Sequence, residues 1–292
     1  MAELDGKIAI VTGAGSPVGM GRTMTLALVK AGAKVAMMDI DGANLAKTAN
    51  EVRAVGGPNC VLPLVGDVSN PADAERVVKA TLDGLGGLHI LVNNAGTNPR
   101  NVGLATRSDG PAWETSPDAW ARVVAINFSG PFYMARAAMP HLLAQKWGRI
   151  IGVTTSLNTM YMRWQSPYGP SKAGHEAWMA TIAQELEGTG VAANVLVPGG
   201  PANTNLLPPD TTFDRSLLIQ PEIMMVPIVW LVSDAADGVN GRRFIAYNWD
   251  ESLPAPQRLE KAGAPLAWQQ LGVQAVYGGA PLAVAARERP GP

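Results

Sequence analysis

The most constraining stretch of the chain is KIAIVTGAGSPVGMGRTMTLALVKAGAKV, residues 7–35, in which a short β-branched run ends in glycines and passes at once into a helical pattern. A strand that turns through glycine directly into a helix leaves the helix's first backbone N–H groups unbonded at the end of the strand. Such a unit buries its apolar surface only when it is repeated, with parallel strands side by side and helices over both faces. The rest of the chain supplies the repeats. Apolar strand-like runs occur at 7–11, 34–39, 60–65, 88–92, 149–154, 191–197 and 242–246. Helical patterns fall between them at about 21–31, 42–56, 71–85, 117–146, 168–188 and 221–235, bounded by Gly, Pro, Asp and Asn.

This alternation implies right-handed crossovers and predicts an α/β fold: a doubly wound parallel sheet of the Rossmann type, about seven strands wide, with helices on both faces. The expected organisation is a dinucleotide-binding catalytic domain over 1–250, followed by a C-terminal extension over 251–292. That extension is rich in Pro, Ala and Gly but carries Trp268, Leu271 and Tyr277, so docking near the active site or a subunit interface is expected of it rather than disorder. At 292 residues, 47% hydrophobic and 16% charged, the chain can bury a sizeable core. Its formal net charge of −1 and lack of a basic run argue against nucleic-acid or membrane partners. No apolar stretch approaches the roughly 20 residues of a membrane span. A single cysteine, Cys60, and an N-terminus unlike a signal peptide lead to the expectation of a cytoplasmic protein.

The glycine loop admits two registers. In one, Gly13 makes the first turn and Gly19 and Gly21 approach a pyrophosphate as the helix begins, with Ser16 adding a hydroxyl and Met20 at the helix entry. In the other, Gly15, Gly19 and Gly21 keep the glycine spacing and the threonine shifts. Asp39, at the end of the second strand, is in the place for the adenosine ribose hydroxyls. With Asp41 close by and no adjacent Arg or Lys, a 2′-phosphate would be repelled, so the expected cofactor is NAD rather than NADP.

Taken in order, TGAGSPVGMG, GDV at 66–68, NNAG at 93–96, Asn127, YGPSK at 168–172 and PG at 198–199 resemble the short-chain dehydrogenase/reductase family over about 1–250. The resemblance implies that Asp67 and Val68 flank the adenine and that Asn94, Ala95 and Gly96 line the cofactor. It also implies that the loop 198–222, with Pro198 and Thr204, closes over nicotinamide and substrate. Tyr168 and Lys172, four apart, share one helical face. A nearby ammonium would lower the phenol's pKa and let Tyr168 act as general acid/base. The resemblance further implies that Lys172 binds the nicotinamide ribose, and that a serine is usual thirteen residues before the tyrosine. Here that position is Thr155, with Ser156 next to it, and either hydroxyl could steady a developing charge. Pro131 has no N–H for the carbonyl of Asn127, so a kinked helix could hold a water there for the family's proton relay.

No metal is expected, because His89, His141 and His175 lack ligand spacing. The segment 97–116 with Trp113, together with Met160, Tyr161, Trp164 and the tail, offers apolar lining for a small-molecule alcohol or ketone substrate. Apolar residues lie beyond one face of 117–146 and 168–188, and the resemblance implies that such helices pair across a subunit boundary, as a homodimer or homotetramer. The rival reading is a non-catalytic NAD-binding sensor or scaffold, favoured by the threonine and the lengthened glycine loop.

Overall fold

The computed structural model describes residues 3–104, 110–208, 211, 213–271, 276–277 and 280–281. Seven parallel strands, β1 (Ile8–Thr12), β2 (Lys34–Asp39), β3 (Val61–Val65), β4 (Ile90–Asn93), β5 (Gly148–Val153), β6 (Val191–Val197) and β7 (Arg242–Ile245), are joined by an antiparallel eighth, β8 (Gly263–Pro265). The order across the sheet is β3-β2-β1-β4-β5-β6-β7-β8. Pro63 cannot donate to a ladder and is tolerated because β3 is an edge strand. Strands β1, β5 and β6 are buried along their whole length, as expected of strands covered on both faces.

The covering helices are α1 (Met20–Lys30), α2 (Gly42–Gly56), α3 (Pro71–Leu85), α4 (Pro117–Val124), α5 (Gly130–Ala144), α6 (Leu157–Met160), α7 (Tyr168–Glu185), α8 (Met225–Val232) and α9 (Ala255–Ala262). Two core layers result. Met24 and Leu28 of α1, Leu45 and Val52 of α2 and Ile228 and Leu231 of α8 fill one face. Val77 and Val78 of α3, Met134 and Ala138 of α5 and Met179 and Ala183 of α7 fill the other. Consecutive strands run outward in opposite directions from β1 and β4. A cleft therefore opens between the loops after these two strands, where α/β sheets bind their ligands.

Three expectations need correction. The helix expected over 117–146 is interrupted by a π turn at Ala125–Ser129, just ahead of Pro131, whose missing N–H shifts the hydrogen-bond register. The helix expected at 221–235 opens as a 3-10 turn, Pro221–Met224, before α8. The pattern does not dissolve at 251: α9 and β8 follow, and β8 covers the β7 edge, with Phe244 opposite Gly263. Leu266 anchors this return in the core, whereas Trp268 and Leu271 are exposed. Residues 282–292 lie outside the described residues. Among those described, no helix is long and apolar enough to cross a membrane.

Candidate active site

Each loop glycine has its own constraint. Gly13 has φ +65°, and a Cβ there would lie 2.9 Å from the Ala95 Cα, so the turn needs glycine on both counts. Gly21 faces inward: its Cβ would meet the Gly13 carbonyl oxygen at 2.2 Å. It is therefore a helix-packing residue and not, as the first register expects, one that approaches the phosphates. Gly15 donates its N–H to Asp39 Oδ2 at 2.8 Å and accepts from Thr48 Oγ1 at 2.8 Å, and it is not among the residues that line the cleft.

A cleft of about 440 Å³ is lined at this end by Gly13, Ser16, Gly19 and Met20. Gly19 caps α1 without a side-chain hydrogen bond, and the first turn of α1 holds no acid. Open N–H groups on an 11-residue helix with no competing carboxylate suit an anion.

Asp39 lines the cleft, with Oδ1 accepting from the Asp41 N–H at 3.0 Å; each of its carboxylate oxygens keeps a further lone pair. Asp67 and Val68 form the next part of the wall. Arg122 of α4, which the sequence reading missed, bonds to Asp67 Oδ2 at 2.8 Å and to Ser69 Oγ at 2.6 Å. Burial would raise the Asp67 carboxyl, but the hydrogen bonds from Ser69 and Arg122 outweigh it and hold the group below the usual carboxylate range. Asn94, Ala95 and Gly96 also line the cleft. They are set by Thr12, a second residue missed, whose Oγ1 accepts from both Asn94 N and Ala95 N at 3.0 Å.

The reactive candidates meet where β5, the π turn and α7 converge. Asn127 is fully buried, and its amide is consumed: Oδ1 accepts from Thr97 N at 2.8 Å, while Nδ2 donates to Thr97 O at 2.9 Å and Ser171 Oγ at 3.0 Å. A relay would therefore have to use its main-chain carbonyl, to which Pro131 offers no N–H. Lys172 and Tyr168 line the cleft, and a Cβ on Gly96 would lie 3.0 Å from the Lys172 ammonium.

That ammonium donates to the Val153 carbonyl at 2.8 Å, and burial lowers its pKa to about 8. Burial likewise raises the Tyr168 phenol, opposed by a hydrogen bond with the Thr155 side chain. The expected lowering of the phenol by the ammonium is thus corrected: a shared helical face does not bring the two groups together, and desolvation dominates. The two hydroxyls after β5 also separate. The Thr155 side chain acts to lower the Tyr168 phenol, whereas Ser156 caps α6, accepting from Thr159 N and sharing a 2.8 Å bond with Thr159 Oγ1; of the residues that follow β5 it is Thr154, and neither Thr155 nor Ser156, that lines the cleft.

Thr204 lines the cleft, but Pro198 does not; it is buried at the end of β6, with its carbonyl accepting from Tyr247 N. Asn98 and Asn101, unforeseen, tie the loop down by donating to the Leu206 and Asn205 carbonyls at 2.9 and 3.1 Å. The expected aromatic lining is not found: Trp113 is 86% exposed and Tyr161 74%, and neither they nor Met160 and Trp164 line the cleft. Residues 105–109 of that segment lie outside the described residues. His89 is structural, with Nδ1 accepting from Ile8 N at 3.1 Å.

The short chain dehydrogenase family profile matches residues 7–212. The hydroxyacyl-CoA dehydrogenase ChsB1 of Mycobacterium tuberculosis is 30% identical over 275 residues, covering 89% of this chain and 83% of the relative. A 3-oxoacyl-[acyl-carrier-protein] reductase of Synechocystis is 30% identical over 251 residues, 84% of this chain and 96% of that one. The crystal structure of a 3-ketoacyl-(acyl-carrier-protein) reductase from Brucella melitensis, complexed with NADH, superimposes with a TM-score of 0.71 at 27% identity, covering 81% of this chain and 95% of that one.

Proposed function

The chain belongs to the short-chain dehydrogenase/reductase family of oxidoreductases, and from that premise we propose that it is an NAD(H)-dependent enzyme interconverting a secondary alcohol and a ketone, with Tyr168 as general acid/base. The observation that carries this reading is the single cleft that starts at the uncapped end of α1, passes Asp39 and Asp67, and ends at Tyr168 and Lys172. Ser16, Gly19 and Met20 would hold the pyrophosphate, Asp39 the adenosine ribose, Asp67 and Val68 the adenine, and Lys172 the second ribose. When bound, the nicotinamide supplies the hydride acceptor or donor.

The chain's own work is positional and protonic. On reduction the Tyr168 phenol gives its proton to the carbonyl oxygen, and in the reverse direction the phenolate takes the proton from the alcohol oxygen, while the Thr155 hydroxyl donates a hydrogen bond to that same oxygen. Lys172, whose ammonium releases its proton near pH 8, and a water held at the Asn127 carbonyl would pass the proton onward to solvent. Asp39 supports NAD over NADP, because its carboxylate would repel a 2′-phosphate. The relatives' names add 3-hydroxyacyl and 3-oxoacyl thioesters to the substrates worth testing. Assembly as a homodimer or homotetramer belongs to the same reading and is supported by Trp120, Phe128 and Phe132, large apolar side chains exposed along α4, the π turn and α5.

The test is NAD reduction with a panel of secondary alcohols and 3-hydroxyacyl thioesters, wild type against Tyr168→Phe. Turnover on at least one substrate that the variant loses, with dinucleotide binding retained, supports the enzyme. Binding without turnover on any substrate supports the sensor.

A further inference from the structure

Beyond the groups that line the cleft, a buried ion pair lies behind the hydroxyl-bearing end of β5. Glu176 is fully buried and Arg243, next to the core residue Phe244 in β7, is 4% exposed. Arg243 Nε donates to Glu176 Oε1 at 2.9 Å, and its Nη2 donates to the Thr155 main-chain carbonyl at 2.8 Å. The second carboxylate oxygen, Oε2, accepts from Thr154 Oγ1 at 2.9 Å. The circuit therefore grips two consecutive residues, one by its side chain and the next by its backbone, just where β5 has ended and no ladder holds them.

Glu176 lies four residues beyond Lys172 and eight beyond Tyr168, on the same face of α7. One rigid helix thus carries the phenol and, through Glu176 and Arg243, fixes the Thr154–Thr155 dipeptide. A buried pair of this kind contributes little net stability compared with apolar residues of the same volume, so retaining it calls for another role.

We propose that Arg243 and Glu176 are positioning residues of the proposed oxidoreductase, a clamp that fixes the Thr154–Thr155 dipeptide against the face of α7 that carries Tyr168. The inference rests on the reading of Thr155 and Tyr168 given above. Arg243→Lys separates the clamp from the ion pair: the ammonium still faces Glu176, but one nitrogen cannot replace two donors aimed at different acceptors. A second variant, Glu176→Leu with Arg243→Met, replaces the pair by apolar volume and releases both threonines.

The readout is the ionisation of Tyr168, followed by ultraviolet difference titration against Tyr168→Phe in each background. Thr155→Val, Arg243→Lys and the apolar pair should each raise the Tyr168 pKa, and Thr155→Val combined with Arg243→Lys should raise it no further than either alone. In turnover, Arg243→Lys should lower kcat about tenfold with the dinucleotide KM unchanged. The clamp is overturned if Arg243→Lys titrates like the wild type while Thr155→Val is shifted, or if the two shifts add. A wild type with no turnover that still shows the coupled titration would overturn the enzyme and leave the clamp standing.

Discussion

Lys172→Met should make the protein more stable near neutral pH while abolishing its proposed function. The Lys172 side chain is 3% exposed, and burial holds its ammonium at about 8 against an ordinary 10.5. At 1.36 kcal/mol per pKa unit, the folded state carries a penalty of about 3 kcal/mol for the charge. The unfolded chain keeps the proton up to about 10.5 and the native one only to about 8, so the penalty is complete below pH 8. It is relieved as pH climbs from about 8 to about 10.5. Methionine fills a similar volume without charge but leaves the Val153 carbonyl without the donor that Lys172 supplies at 2.8 Å, a loss of about 1 kcal/mol. The net expectation is a variant about 2 kcal/mol more stable near pH 7, with the advantage shrinking through that window and reversing above it. Urea unfolding of both proteins at a series of pH values measures this directly. A variant less stable at neutral pH, or a difference that does not change with pH, would refute the reasoning.

Asp39→Ala removes the acceptor for the Gly15 and Asp41 N–H groups, at 2.8 and 3.0 Å, as well as the proposed ribose partner. NADH affinity, read by fluorescence titration, should fall about tenfold or more while NADPH binding does not weaken; a wild type that prefers NADPH would end the NAD assignment. Thr155→Val should lower kcat about 100-fold, whereas Ser156→Ala should leave kcat within a few-fold and cost about 1 kcal/mol through its α6 cap; steady-state rates and melting curves separate them. Gly21→Ala would press a methyl to 2.2 Å from the Gly13 carbonyl oxygen and 2.7 Å from the Asn94 amide nitrogen, and chemical denaturation should register about 3 kcal/mol of destabilisation.

The sheet was readable because each parallel strand is a short apolar run punctuated by a turn residue, and even Pro63 agrees with an edge position. β8 was not readable: three residues, Gly263–Pro265, carry no pattern, and only their long-range pairing with β7 makes them a strand. At the site, Asp39 and the turn at Gly13 follow from strand-to-helix order, which is local, whereas Tyr168 and Lys172 stand out only through the resemblance of YGPSK to the family's motif. The choice between Thr155 and Ser156 depended on β5 ending at Val153, an end set by tertiary contacts. Spacing also misled, since two side chains on one helical face can have different partners; Lys172 turns to Val153 rather than to the phenol. Arg122 and Arg243 act across 55 and 67 residues of sequence. The one local hint was a pair of arginines opening a strand otherwise destined for the core.

A crystal structure of the protein with NADH tests the convergence at residue 168 most directly. The pyrophosphate should rest on the N-terminus of α1, the adenosine ribose on Asp39 and the second ribose on Lys172, with the reactive ring carbon facing a space bounded by the Tyr168 and Thr155 hydroxyls. A dinucleotide bound elsewhere, or a ring turned away from the Tyr168 oxygen, would contradict it.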